Sequence, residues 1–170
     1  MDMSQLKFDS DTDGHGQYRT VIAEQTDAIE RDAKNVDAHF HRGNAYSNVG
    51  DYERALEDYT KVIELGPANN MAHNNIGVAY LCTGKYEAAV TELTRAIEID
   101  PEYRDAYHNR GLARSELDAF DEAIADLTRA IEIDPEYWNA YRHRGMVHWM
   151  KDDKDASYRD YMKARELGGG

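Results

Sequence analysis

The chain has a single cysteine, Cys82, among 170 residues. That excludes an internal disulfide and, by itself, a thiolate metal site. No apolar run is long enough for a spanning helix. The start, Met1-Asp2-Met3-Ser4-Gln5-Leu6-Lys7, lacks the apolar core of a signal peptide. Cations are also short: 20 Lys and Arg stand against 33 Asp and Glu, a net charge of −13. Binding to nucleic acid is driven by a basic face that releases counterions from phosphates, and this chain repels polyanions over most of its length. Gly-rich phosphate loops, nucleophile elbows and Cys–His signatures are missing too. These absences lead us to expect a cytoplasmic, non-catalytic protein with no cofactor, no metal, no nucleic-acid partner and no membrane contact. What is present argues for a folded chain. Apolar residues make up 41% and tyrosine occurs 12 times, too much for disorder throughout despite a mean hydropathy of −0.81.

Proline is as scarce as cysteine, and its placement is informative. The three prolines, Pro67, Pro101 and Pro135, are separated by equal intervals of 34 residues, a sign of internal repetition. With Val36 as the first place, the units are 36–69, 70–103, 104–137 and a shorter, divergent 138–167, followed by a tail at 168–170. Units two and three share 16 of 34 residues. Glycine recurs at place eight (Gly43, Gly77, Gly111, Gly145) and a small residue at place twenty (Ala55, Ala89, Ala123, Ser157).

Each unit reads as two helices. Ala38, Arg42, Ala45 and Val49 form a helical stripe in the first half, and Ala55, Leu56, Tyr59, Val62 and Ile63 do so in the second. Gly50-Asp51 and Gly84-Lys85 mark the turn between them; Gly66-Pro67 or Asp-Pro ends the second helix. A mid-helix glycine costs ~1 kcal/mol against alanine. Its recurrence predicts close helix packing against the small residue at place twenty. Residues 17–35 read as a lone second helix covering the first unit, after an acidic leader at 1–16. Arg165 replaces the isoleucine of earlier units (Ile63, Ile97, Ile131) on the last outward face, as a terminal repeat requires. Arg42, Arg110 and Arg144 stand sixteen residues before Asp58, Asp126 and Asp160, which predicts an ion pair across three of the hairpins. Unit two has Ile76 and Glu92 at those places.

This pattern resembles the tetratricopeptide repeat across residues 36–137 and partly through 167. The resemblance implies an all-α fold, a right-handed solenoid of antiparallel helix pairs with about nine helices. It also implies a concave groove lined by the first helices, into which places two, five, six, nine, twelve and thirteen point. The candidate groove residues are then Phe40, His41, Asn44, Asn74, Asn75, His108, Asn109, Arg142, His143, Met146 and Trp149. Asparagine offers a donor and an acceptor, so a row of them can bind the backbone of an extended peptide. The same row also arises if amides and imidazoles are accommodated on an exposed face and multiplied by repetition. Trp149 has two readings as well, an interface anchor or a ring packed under the last helix. Burial is the usual state of tryptophan and favours the second.

The expected function is a protein-interaction scaffold holding a peptide or partner helix in the groove. One alternative is a co-chaperone. The resemblance assigns such members a carboxylate clamp, of which Asn44 and Asn75 are present, but Phe40, Asp105 and Asn109 stand where its cations belong. Another is a structural subunit that self-associates through its array ends, since net charge is −4 over residues 1–35 and +2 over 138–170. The histidines at 39, 41, 73, 108, 143 and 148 follow repeat places rather than a metal-ligand spacing. Asp9-Ser10-Asp11-Thr12-Asp13-Gly14 resembles the start of an EF-hand loop. Thr20 stands where its bidentate Glu belongs, so a free acidic leader is expected. Cys82 is expected to be inert packing.

Overall fold

The computed structural model describes residues 14–168. The acidic stretch Asp9–Asp13 and the final Gly169 and Gly170 lie outside the described residues. Nine helices and no strand are present among the described residues: α1 Gly16–Arg31, α2 Val36–Asn48, α3 Tyr52–Leu65, α4 Asn70–Cys82, α5 Tyr86–Ile99, α6 Arg104–Glu116, α7 Phe120–Ile133, α8 Trp138–Met150 and α9 Lys154–Glu166. Each packs on the next, and the first helices of successive units, α2, α4, α6 and α8, also touch one another. This is an all-helical solenoid in which α1 covers the start of the first pair.

Local chemistry sets the boundaries. The side chains of Asn35, Asp51, Asn69 and Asp153 accept hydrogen bonds from the backbone N–H three residues on, capping α2, α3, α4 and α9. The turn inside each pair needs a positive φ at one residue: 78° at Gly50 and 71° at Gly84, but also 57° at Asp118 and 60° at Asp152. Aspartate tolerates this region better than most side chains, since its short carboxylate bonds locally.

The core consists of small repeats of one pattern. Ala89, Leu93, Ala96 and Ile97 of α5 are buried with Ala106 and Ala113 of α6, and Ala123, Leu127, Ala130 and Ile131 of α7 with Ala140 and Val147 of α8. The place-eight glycine faces mainly place twenty-four rather than the small residue at place twenty. A Cβ at Gly77 would lie 2.5 Å from Leu93 Cγ, whereas one at Gly145 meets nothing closer than 3.2 Å. Leu93 is fully buried and has no room to yield. Gly77→Ala is therefore expected to destabilise by about 1–2 kcal/mol, its overpacking exceeding the gain in helix propensity. Gly145→Ala should be close to neutral. Urea melts of the two variants would check this, and equal midpoints would contradict the close-approach account.

Candidate functional site

The concave face depends on how the first helices are held. Asp58, Asp126 and Asp160 are buried in the second helices, and each meets the arginine expected for it through two bonds. Arg42 donates from Nε and Nη2 to Asp58 at 2.8 Å each, Arg110 to Asp126 at 2.9 and 2.7 Å, and Arg144 to Asp160 at 2.8 Å each. The remaining Nη1 reaches back to a threonine hydroxyl of the preceding unit: Thr26 at 3.2 Å, Thr94 at 3.0 Å and Thr128 at 2.9 Å. These carboxylates hold Arg42 and Arg144 above the ordinary guanidinium range, the side-chain bond being the main cause. In unit two His73 Nδ1 takes the place of the arginine, 2.8 Å from Glu92, with Arg95 at 2.7 Å from the other oxygen.

On the groove side the amides and imidazoles bond to one another. Tyr59 Oη donates to Asn44 Oδ1 at 2.7 Å, and Asn75 Nδ2 donates to the same oxygen at 2.9 Å. Asn74 Nδ2 donates to Asn75 Oδ1 at 3.2 Å, and Asn109 Nδ2 to Asn74 Oδ1 at 3.0 Å. His108 Nδ1 lies 3.3 Å from Asn109 Oδ1, and His108 Nε2 lies 2.7 Å from His143 Nδ1. An amide oxygen only accepts, so a neutral His108 carries its proton on Nδ1 and takes the His143 proton at Nε2. The result is one relay across four units, in which each bond between units is donated toward unit one. It leaves the Asn44 NH2 group, and one N–H each on Asn75 and Asn109, for other partners. Beside Asn44, a polar pocket of about 290 Å³ opens between Ser47, Asn48, Tyr59, Asn75 and Val78.

The remaining candidates divide by exposure. Asn74 and His108 are buried between units, while His41 and Arg142 are exposed. Phe40 lies 6.0 Å from the Tyr59 ring, and Arg142 sits over Trp138 at 5.6 Å. Trp149 does not pack under α9: it is 61% exposed, with Met150 beside it at 51%, and Met146 is half-buried. Cys82 is exposed rather than packed. Tyr59 and Tyr137 were missed in sequence. Tyr59 starts the relay, and Tyr137 places its hydroxyl 3.3 Å from His108. Their signal was position, since Tyr59 stands where later units have Leu93 and Leu127. Among the described residues, no group of three or more His, Cys, Asp or Glu could hold a metal ion.

The tetratricopeptide-repeat profile matches residues 40–104 and again 105–137. The chain belongs to the tetratricopeptide-repeat family. Similar solved structures share most or all of the array. The MamA crystal structure is 27% identical with a TM-score of 0.82, covering 91% of this chain and 90% of its own. MamA from Desulfovibrio magneticus RS-1, from residue 41 to its end, is 25% identical with a TM-score of 0.82, covering 91% and 87%. The first tetratricopeptide repeat domain of Spaghetti (RPAP3), bound to the HSP90 peptide SRMEEVD, is 27% identical with a TM-score of 0.68, covering 71% and 96%. No curated protein matches the sequence. Among the described residues no helix is long and apolar enough to cross a membrane.

Two predictions test this arrangement. Asp126→Ala strips Arg110 and Arg114 of their shared carboxylate and is expected to cost about 3–5 kcal/mol. Thr94→Val removes one inter-unit bond and should cost about 1 kcal/mol. Similar urea midpoints for the two would contradict the clamp. The second concerns the imidazoles. Burial lowers His108, and burial, His108 and the Arg142 charge lower His143 to about 4. The unfolded chain therefore takes up this proton first, near pH 6.5. Stability should fall as pH drops from about 6.5 to about 4 and this contribution should then level off. His143→Gln is expected to lose less stability over that window than the parent, measured by urea melts at pH 7.5 and 5.

Proposed function

We propose that this tetratricopeptide-repeat protein is a protein-interaction scaffold whose concave groove holds an extended segment of a partner. The observation that carries the reading is the relay, because it holds Asn44, Asn75 and Asn109 in one orientation along the groove. Their remaining N–H groups then offer a row of donors to main-chain carbonyls, independent of side-chain sequence. Preorganised donors lose little freedom on binding, which favours affinity. Asn74 and His108 serve the row from beneath. His41 and His143 extend it, while Phe40 and Met146 form its walls and Arg142 and Trp149 its far end. The solved complex of the RPAP3 domain with an HSP90 peptide supports peptide capture by this fold.

The co-chaperone alternative is weaker here. Phe40, Asp105 and Asn109 occupy the places of the clamp cations, and Asp105 would repel a peptide carboxylate. End-to-end association through the acidic and basic segments is the competing reading. Light scattering that falls as salt rises would support it.

A peptide-array screen tests the groove. Asn75→Ala and Asn109→Ala should each weaken bound peptides by about fivefold, the worth of one hydrogen bond. The losses should be the same for peptides of different sequence. Unchanged binding in both variants, with thermal melts showing them folded, would overturn the amide row.

A further inference from the structure

The repeat symmetry exposes a second surface, which begins where the amide row ends. Asn44, Ser47, Asn48 and Tyr59 of unit one line the polar pocket, and Asn75 and Val78 of α4 close it. The equivalent places of unit four hold Met146, Trp149, Met150 and Tyr161. Three of these are well exposed: Trp149 at 61%, Met150 at 51% and Tyr161 at 41%. Tyr158 and Met162 continue the surface along α9, and both are exposed. In the inner units the second helices α3, α5 and α7 pack against the next first helix, α4, α6 and α8.

This end also carries an excess of cations, +2 over residues 138–170. Arg42, Arg110 and Arg144 are all ion-paired. Arg142 has no carboxylate partner among the described residues, although the chain carries a net charge of −13. Its guanidinium rests on the Trp138 ring, one helical turn before Met146.

We infer that Met146, Trp149, Met150 and Tyr161, with Arg142, dock an acidic amphipathic helix of a protein partner. It lies where the next first helix lies on each inner unit. The inner contacts give its spacing. Place six of an incoming helix meets place five of the preceding unit twice, as Asn109 on Asn74 at 3.0 Å and His143 against His108 at 2.7 Å. Place nine of the incoming helix, Val78, lies over the pocket formed by places nine, twelve, thirteen and twenty-four. A helix docked in this way puts place six beside Arg142 and place nine on the apolar platform. Its motif is therefore Asp or Glu followed three residues later by a large apolar side chain, both on one face. A further acid near its start faces Arg165, which replaces the isoleucine of the inner units.

The test uses the full chain and a fluorescein-labelled, lactam-bridged peptide of 13 residues, the length of α4, with Glu three residues before Leu. Anisotropy should show saturable binding. Trp149→Ser and Arg142→Glu should each weaken it about tenfold or more, with unchanged thermal melts because both side chains are exposed. Changing the peptide Glu to Lys should restore binding to Arg142→Glu, and Asn75→Ala should leave it intact. A failed charge swap, or full affinity in Trp149→Ser, would overturn the proposal. So would an equal loss in Asn75→Ala, which places the helix in the groove. A dimer of the parent chain that Trp149→Ser abolishes would assign the platform to a second copy and overturn it too.

Discussion

A carboxylate in the middle of each second helix, buried in units one, three and four and half-buried in unit two, is the constraint on which this array is built. Removing such a charge from water costs several kcal/mol, and only a close, well-aligned cation offsets that. The arginine of the facing first helix supplies it in units one, three and four with a planar fork matching both oxygens. The same guanidinium has one nitrogen left, and it bonds the threonine of the unit before. A single residue thus closes its own hairpin and ties that hairpin to its neighbour. Unit two shows what the constraint demands and what it leaves open. Glu92 is longer than aspartate and is met by His73 and Arg95, while Ile76 joins Tyr46, Ala55 and Tyr59 in an apolar cluster. The charge must be met, but not always by the same residue.

Fixing the first helices in this way brings their groove-side residues within hydrogen-bond reach across units. An asparagine row on a loose scaffold would solvate each amide separately. Here the amides bond to each other, and the direction of each bond follows from its neighbour. The relay takes up much of the row's acceptor capacity and leaves the Asn44 NH2 group and one N–H each on Asn75 and Asn109. Among the described residues no buried side-chain nitrogen or oxygen lacks a partner, so the order costs no stranded polar group.

The fold was legible because period and packing are written in the same residues. The interval between prolines, the glycine at place eight and the Arg–Asp offset of sixteen all report the hairpin directly. The groove was legible only as a set of positions. Whether two asparagines face a ligand or each other depends on distances between units, which no single-chain pattern encodes. Trp149 was misjudged for a related reason: residue statistics favour burial, but its place is covered only when another helix follows. Asp118 and Asp152 sit at a positive φ where earlier units have glycine, a substitution that turn statistics alone do not resolve.

The two kinds of place explain how one fold can carry an asymmetric surface. Places seven, eight, twenty, twenty-three and twenty-four set packing within and between hairpins, so changes there act on stability. Places five, six, nine, twelve and thirteen meet solvent or the neighbouring unit's edge, so they can vary without disturbing the packing of the hairpins. At places nine, twelve and thirteen the chain carries Asn44, Ser47 and Asn48, then Val78, Leu81 and Cys82, then Leu112, Ser115 and Glu116, and last Met146, Trp149 and Met150. A solenoid whose stability is the sum of near-identical units tolerates that drift because the packing residues do not take part in it. Tyr59 and Tyr161 are where the sets meet, since the same tyrosine is buried under α4 in unit one and exposed in unit four. One place of the repeat therefore feeds the polar relay in unit one and lies open to solvent in unit four.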